Sequence, residues 1–325
     1  MIAAIGAFDG FHKGHQALLE RARTIAVGAR RDWGAVTFAQ HPDKFLSLQK
    51  VKTQDAQKTQ KKFKVLYAKK ERRILECFLA IPTVREIEFS SRIANMSPAE
   101  FLDFISDEFG VSGIVVGEDF RFGKDRAGTT DWLSDECRER RWPLGAVPTV
   151  NDAFGEPVSS TSIREAISMG NMRYARESQG HPYFYVGRVV HGNERGRTIG
   201  YPTANLEIAS EKIGARHGTY AAMAFVNGHW RAGAANIGLN PTFDDVGEMR
   251  FEVFLLDFEG NIYGSEITIF LLEHIRDETR FASVGELKER ISQNVAQVRK
   301  IVERSLRDDR ILWEKFRETL LGMIR

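Results

Sequence analysis

The spacing of apolar residues changes near Gly180, and this change constrains the fold of the 325-residue chain more than any other feature. Before it, short apolar runs alternate with stretches of helical periodicity. These runs lie at residues 1–7, 34–38, 113–117 and 144–150. Such alternation favours a parallel β-sheet with crossover helices.

One helix of the first part has clear signals at both ends. Ser97, Pro98 and Glu100 supply an N-cap, a first-turn proline and the acid of a capping box. Gly110 follows the apolar stripe and predicts the end of the helix.

The second part of the chain has a different pattern. Its apolar runs are rich in aromatic and β-branched residues and read PYFYVGRVV, TYAAMAFV, RFEVFLLDF and ITIFLL. Asn227-Gly228 is a strong hairpin signal, and helical spacing returns from Val284 onwards. We therefore expect an α/β domain over residues 1–180 and a small β-barrel or sandwich over 181–325 that ends in a helical tail.

Charge and cysteine content narrow the class of protein. The formal net charge of +2 gives no reason to expect a nucleic acid partner. Cys77 and Cys137 are the only cysteines, which fits a reducing compartment and gives no metal-binding spacing. The first run has the pattern of a strand rather than a signal peptide, and no uncharged apolar stretch reaches the roughly 18 residues of a membrane span. We expect a cytoplasmic protein with no membrane partner, and leave its oligomeric state open.

A turn with two histidines lies between the first apolar run and the first helical stretch. This segment, GAFDGFHKGH, covers residues 6–15 and places His12 and His15 three residues apart beside Asp9 and two glycines. The following helix directs its free N–H groups and positive dipole end at the turn, which favours a bound anion. A lone histidine at a helix start is more often a surface residue, but two in this arrangement favour a phosphate site.

A second motif, GEDFRFGKDRAG, follows the run at residues 113–117. Phe120 and Phe122 are suited to stack on a ring, and Asp119 offers a polar anchor. Taken alone, the segment fits a loop with a hydrophobic plug equally well.

A third motif, SSTSIREA, opens a helix at residues 159–166. Ser162 and Glu165 have the spacing of a capping box, which is a structural role. Arg164 gains nothing from the dipole at a helix start, and its guanidinium is suited to bidentate phosphate binding. Hydroxyls, helix N–H groups and Arg164 together predict a second anion site.

The second part contains the glycine-rich run GNERGRTIGYPTAN at residues 192–205. Its glycines leave the backbone free to wrap phosphates, although a plain connection explains the glycines alone. Thr203 and Asn205 carry hard oxygen atoms of the kind that Mg²⁺ accepts.

Glu252 is the remaining candidate residue. It shares an expected strand face with Phe254, Leu256 and Phe258. Apolar neighbours raise the pKa of a carboxyl group and so favour a general base. The alternative is a glutamate at the rim of the barrel.

One segment fits the two-domain pattern poorly. Between Lys50 and Arg73 there are ten Lys or Arg against two acids, Asp55 and Glu71. A solvated helix or a mobile insertion explains it better than a binding patch.

Together these motifs resemble the bifunctional riboflavin kinase/FMN adenylyltransferase family. GAFDGFHKGH, the pair His41-Pro42, GEDFRFG and SSTSIR are similar to its N-terminal signatures, which belong to a Rossmann-like nucleotidyltransferase domain of the HxGH type. GRTIGYPTAN, ANIGLNPTF and EVFLLDFEGNIYG are similar to its C-terminal kinase signatures, in the expected order. The resemblance extends over almost the whole chain.

The resemblance implies two reactions, both with Mg²⁺ and without a prosthetic group. Riboflavin and ATP give FMN, and FMN with a second ATP gives FAD and pyrophosphate. Glu252 is implied as the kinase base, Thr203 and Asn205 as holders of Mg²⁺ and phosphate, and His12 and His15 as catalytic residues of adenylyl transfer.

The resemblance also implies three sets of binding residues. Those for ATP in the adenylyltransferase part are Gly6, Phe8, Asp9, Gly14, Ser160, Thr161 and Arg164. Those for the flavin in that part are His41, Asp119, Phe120 and Phe122. Those for ATP in the kinase part are Gly192, Gly196, Gly200, Pro202, Thr203 and Asn205.

Two alternative functions stay open. The first is a riboflavin kinase whose adenylyltransferase half is weakened, as the basic segment 50–73 suggests. The second is a flavin-binding regulatory protein without turnover. Binding alone has little use for a base such as Glu252 or for the histidine pair, which argues against the regulatory protein.

Overall fold

The computed structural model describes residues 1–43, 45, 63–192, 200–240, 248–279 and 281–324. They form two compact units. The first unit comprises Met1–Val65 and Leu79–Ser160, and the second comprises Leu66–Phe78 and Thr161–Arg325. The predicted domain boundary at residues 180–181 lies within the second unit and stays a prediction.

The elements are numbered in chain order. The strands are β1 (Ile2–Ile5), β2 (Trp33–Phe38), β3 (Val84–Ile87), β4 (Gly113–Gly117), β5 (Leu144–Val147), β6 (Phe184–Val190), β7 (Thr203–Ile208), β8 (Gly218–Val226), β9 (His229–Asn240), β10 (Glu248–Leu255) and β11 (Glu266–Arg276). The helices are α1 (Lys13–Ala29), α2 (Lys69–Phe78), α3 (Ser91–Ala94), α4 (Pro98–Phe109), α5 (Thr130–Arg140), α6 (Ser160–Ser168), α7 (Met172–Gln179), α8 (Val284–Asp308) and α9 (Arg310–Ile324).

The first unit contains a parallel sheet with the strand order β3-β2-β1-β4-β5. Its inner strands are buried on both faces, since Ile2–Ile5 and Ile114–Val116 are almost inaccessible. The order reverses between β1 and β4. In open α/β sheets, ligands bind at the carboxyl ends of the strands beside such a reversal.

The capping-box helix of this unit is confirmed. Ser97 Oγ accepts from the Glu100 backbone N–H, and the Glu100 carboxylate accepts from the Ser97 N–H. Gly110 ends α4 in the left-handed conformation, and Phe101, Leu102 and Ile105 are buried against the sheet core.

The second unit contains a closed antiparallel barrel with the order β10-β7-β6-β11-β8-β9. The barrel is confirmed and the sandwich is not. Asn227 and Gly228 connect β8 to β9 with φ angles of 48° and 81°, as a type I′ hairpin turn requires. The helical tail is also confirmed, as α8 and α9.

The end of the basic segment 50–73 belongs to this unit and is not a solvated helix. Glu71 in α2 is buried and forms an ion pair with the buried Lys212, at 2.9 Å between Oε2 and Nζ. Its other oxygen accepts from the Val186 N–H at 2.9 Å, in β6. Burial raises the pKa of the Glu71 carboxyl, while the Lys212 ammonium opposes that shift. Residues 50–62 lie outside the described residues.

Lys212 occupies a cage made mostly of aromatic rings. Its ammonium lies 4.2 Å from the ring centre of Tyr67 and 4.4 Å from that of Tyr183, and it donates to the Leu66 and Phe184 carbonyls at 3.1 and 2.7 Å. Cation–π attraction and hydrogen bonds together compensate the loss of water around the charge. Residues 66–78 therefore complete the second unit, although they lie between β2 and β3 in the chain.

Candidate functional site

The turn after β1 contains two bulky residues in the left-handed backbone conformation, which surrounding packing has to stabilise. Phe8 and Phe11 have φ angles of 47° and 43°, a conformation that costs free energy for a bulky residue. Phe8 is fully buried and its ring stacks on Phe11 at 5.6 Å. The Asp9 carbonyl accepts from Ser160 Oγ at 2.7 Å, which ties the start of α6 to this turn.

The two histidines lie together at the start of α1. Their rings stack at 3.7 Å, and His15 also contacts the Phe8 ring at 5.1 Å. His12 is the N-cap residue and its side chain makes no capping hydrogen bond. The first N–H groups of the helix and the dipole therefore face this point of the turn. Gly14 provides room, because a Cβ there would lie 3.1 Å from the His12 ring.

Burial lowers the pKa of His12 to about 4. The imidazole is therefore neutral at pH 7, with one nitrogen as donor and the other as acceptor. Among the described residues, its buried Nδ1 has no hydrogen-bond partner. The site thus offers helix N–H groups and a neutral imidazole, which can bind a phosphate group by hydrogen bonds without a charged histidine.

The predicted flavin residues follow strands β2 and β4, which lie on either side of β1 in the sheet. His41 lies mostly buried against the Phe63 ring at 4.6 Å, and Asp119 is exposed. Phe120 stacks on Phe122 at 5.4 Å. Phe122 itself lies in the core of the sheet domain, and this placement matches the hydrophobic plug. Its contact with a flavin stays a prediction.

The third motif opens helix α6. The helix begins at Ser160, so Ser162 is its third residue and not the N-cap. Thr161 and Arg164 lie in the second unit, where Arg164 Nη2 donates to Thr161 Oγ1 at 3.3 Å. Ser160 joins the turn after β1 directly, through its bond to Asp9.

In the second unit, four polar side chains stand opposite one another across adjacent strands. Glu252 of β10 pairs in register with Asn205 of β7 on one side and Asn236 of β9 on the other. Thr219 of β8 is next to Asn236, and their side chains lie 3.4 Å apart. Asn236 and Thr219 were missed in the sequence, because strand register is not visible in a single chain. This polar row defines the second candidate site.

The setting of Glu252 is only partly apolar, since the cavity that it lines contains charged side chains as well as aromatic rings. Phe251 and Val253 point to the barrel core, so the glutamate faces outwards and keeps 30% of its side-chain surface exposed. A strand alternates its faces, and Glu252 shares the outer face with Phe254 and Arg250. Leu256 and Phe258 lie beyond the end of the strand.

Two cavities meet at Thr203. One, of about 510 Å³, is lined by Glu252, Asn236, Arg250, by the rings of Tyr201, Phe254 and Phe281, and by Leu287, Ile291 and Asn294 of α8. The other, of about 530 Å³, is lined by Pro202, Val253 and Leu255 and by residues 258–263. Thr203 is a lining residue of both cavities.

The packing around Asn205 requires a glycine at position 192. A Cβ at this position would lie 2.2 Å from Asn205 Nδ2, so the glycine leaves space for the amide. Gly200 adopts a φ of 87° and Pro202 lines the second cavity. Gly196 lies outside the described residues.

The described residues contain no cluster of three or more His, Cys, Asp or Glu side chains that would hold a metal ion. The oxygen atoms of Thr203, Asn205 and Glu252 are the available hard ligands, on neighbouring strands. Within the described part of the chain, no helix is both long and apolar enough to cross a bilayer.

Comparison with known proteins gives one consistent result for both units. Residues 1–162 match the family described as FAD synthetase, and residues 179–302 match the family described as riboflavin kinase. The bifunctional riboflavin kinase/FMN adenylyltransferase of Pseudomonas fluorescens is 34% identical over 299 residues, which cover 92% of each chain.

Two further relatives extend over most of the chain. The protein of the same name from Listeria monocytogenes is 33% identical over 286 residues, which cover 88% of this chain and 87% of that one. A crystal structure described as a macrolide-efflux protein from Streptococcus pneumoniae is 32% identical, with a TM-score of 0.81 and coverage of 92% of this chain and 93% of that one.

Proposed function

The chain belongs to the family of bifunctional riboflavin kinase/FMN adenylyltransferases, and from this premise we propose how its residues divide the two reactions. The protein phosphorylates riboflavin with ATP to FMN, and then transfers the AMP moiety of a second ATP to FMN, which gives FAD and pyrophosphate. The barrel performs the first reaction and the turn after β1 performs the second.

In the kinase reaction, riboflavin occupies the cavity that Glu252 lines, with its ring system among Tyr201, Phe254 and Phe281. ATP occupies the cavity lined by residues 258–263 and directs its phosphates to Thr203. The observation that carries this assignment is that Thr203 lines both cavities and lies on β7 two residues before Asn205, the register partner of Glu252.

Glu252 takes the proton from the 5′-hydroxyl of the ribityl chain. The resulting oxygen attacks the γ-phosphorus of ATP, the bond from that phosphorus to the bridging oxygen breaks, and ADP leaves. Asn205 and Asn236 flank Glu252 and fix the direction of its carboxylate.

A divalent cation fits the residues of this site. The space that a Cβ at Gly192 would fill leaves the Asn205 amide free to turn its oxygen towards a ligand, beside the Thr203 hydroxyl. These hard oxygen atoms match the preference of Mg²⁺, which keeps several waters and binds substrate phosphates. When bound, the ion neutralises charge that develops on the phosphates.

In the adenylyl transfer, the α1 N–H groups, His12, His15 and Ser160 bind the triphosphate. The roles of Thr161 and Arg164 stay those that the resemblance implies. A phosphate oxygen of FMN attacks the α-phosphorus of ATP, and pyrophosphate leaves without a covalent enzyme intermediate. Catalysis comes from positioning and from stabilisation of developing charge. His41, Asp119 and Phe120 form the flavin side of this site.

The flavins formed by the protein with riboflavin and MgATP test the function. We expect both FMN and FAD after separation of the flavins. Accumulation of FMN alone would favour a kinase with a weakened second half, and absence of both products would favour the regulatory protein. The proposed substrates are riboflavin, FMN and ATP, and a cytoplasmic location stays a prediction.

Two variants test the division of labour. His12→Ala should stop FAD formation and leave FMN formation intact, and Glu252→Gln should stop FMN formation and leave FAD formation from supplied FMN intact. In each variant, the retained reaction shows that the unit without the substitution is intact. Loss of both reactions in one folded variant would contradict the assignment.

A further inference from the structure

Arg250 lines the same cavity as Glu252 and lies two residues before it on the outer face of β10. Strand residues two apart point to the same side of the sheet. The arginine is half-buried, with 37% of its side-chain surface exposed. Nothing in the proposed reaction uses this cation.

The guanidinium of Arg250 bridges two carboxylates. Its Nη2 donates to Glu278 Oε1 at 2.8 Å, and its Nε lies 4.0 Å from Glu252 Oε1. Among the described residues, this Nε is buried without a hydrogen-bond partner. A buried donor without a partner is costly, so the nearby carboxylate is its natural acceptor after a small rotation of either side chain.

The neighbouring strand leaves space for this bridge. Gly238 of β9 pairs in register with Arg250. A Cβ at Gly238 would lie 2.4 Å from Glu278 Oε1 and 3.1 Å from Arg250 Nη2. The absence of a side chain there permits the ion pair to lie against the strand.

We propose that Arg250 is a positioning residue for Glu252, and that Glu278 in turn fixes Arg250. The planar guanidinium holds one carboxylate through Nη2 and presents Nε to the other, which narrows the directions that the Glu252 carboxylate samples. A base that points at the hydroxyl before the substrate arrives raises the rate of the chemical step. This inference rests on the proposed role of Glu252 as the kinase base.

The test is the steady-state rate of FMN formation by Arg250→Met in the full-length protein. Loss of positioning lowers kcat by about tenfold and leaves KM for riboflavin within about twofold of the unaltered protein. Arg250→Lys, which keeps the charge but not the fork, should recover part of kcat. Glu278→Gln should lower kcat less, and the double variant Arg250→Met/Glu278→Gln should be no slower than Arg250→Met alone.

Arg299→Met is the matched control. Arg299 forms a bidentate ion pair with Asp257 on the surface, at 2.6 and 2.8 Å, and lines neither cavity. Its loss should leave kcat and KM unchanged. An unchanged KM in Arg250→Met also shows that the cavity is intact.

Glu252→Gln, measured in parallel, separates the two ideas. If it retains FMN formation, the proposed base is wrong. If it is inactive while Arg250→Met keeps full kcat, only the role of Arg250 is overturned. A rise in KM for riboflavin with unchanged kcat in Arg250→Met would also overturn positioning, because Arg250 would then contact the substrate.

Discussion

At the residue scale, the ring of His12 combines burial with a place at an anion site. Burial lowers its pKa to about 4, so the ring carries no charge at neutral pH while the site is empty. A bound triphosphate places negative charge beside the ring and favours the protonated form, which moves the pKa upwards.

We predict that ATP raises the pKa of His12, measured by titration of its imidazole signals in NMR spectra with and without the nucleotide. His12→Ala identifies the signals. His181 serves as the matched control, because burial also lowers its pKa to about 4 and it lines neither of the two cavities in the barrel unit. An equal response of both histidines, or none in His12, would contradict a triphosphate site at α1.

Residue types could be predicted from the sequence better than their surroundings. His12 and His15 stand out because a strand, a turn and a helix follow one another within fifteen residues. Phe122 has the same local signal as Phe120 but packs in the core, and Glu252 has a polar neighbour in Arg250. Both outcomes depend on strand faces and on tertiary packing, which local sequence does not determine.

At the element scale, the backbone after β6 approaches β7 so closely at Gly192 that the position of the Asn205 amide depends on the absence of a side chain there. Gly192→Ala would place a Cβ on the Asn205 amide, and the amide would have to leave the polar row. We predict that kcat for FMN formation falls by about tenfold or more, because the displaced Asn205 amide no longer holds the reacting groups in position.

FAD formation from supplied FMN should stay unchanged in Gly192→Ala. Gly285→Ala is the matched control in the same unit, since the nearest atom to a Cβ there, Ser283 Oγ, lies at an ordinary 3.7 Å. Equal rates of FMN formation in the two variants would show that the position of the Asn205 amide does not matter for the kinase reaction.

Elements with strong periodicity or end signals were predictable, and those without were not. The capping box of α4 and the hairpin at Asn227-Gly228 are local features, so the sequence specifies them. β3, β7 and β9 were not predicted. β9 is rich in glycine and alanine, and β7 begins at the end of the glycine-rich run, so neither has the local signal of a strand. Pairing with neighbouring strands in the barrel stabilises both.

At the scale of the whole molecule, the second unit depends on a segment from an early part of the chain. Glu71 and Lys212 are both buried and pair with each other. Removing one member of a buried ion pair leaves the other without a partner, which costs about 3–5 kcal/mol. We predict that Glu71→Gln lowers the stability of the second unit by this amount, measured by calorimetry of the full-length protein.

Lys212→Met should also destabilise the second unit. The double variant Glu71→Gln/Lys212→Met should lose less stability than the two single variants together, because no buried charge remains. Lys70→Met, on the same helix, breaks an exposed pair with Glu266 and should cost no more than about 1 kcal/mol. Additive losses in the double variant would mean that the pair contributes nothing as a pair.

The two-part organisation was predictable from the change in pattern near Gly180, but the membership of residues 66–78 was not. A basic run with few apolar anchors is typical of a solvated segment. Its buried partner lies far along the chain, since Leu66 and Lys212 are separated by 146 positions. A single sequence carries no signal for so distant a contact.

This insertion has a consequence for synthesis on the ribosome. Domains usually fold in the order in which they leave the exit tunnel. Here Glu71 emerges long before β6, β11 and Lys212 exist, so the nascent first unit has to fold around a stretch that it does not use. The barrel closes only after β11 has been synthesised, so Glu71 stays until then without all the contacts that bury it in the folded unit.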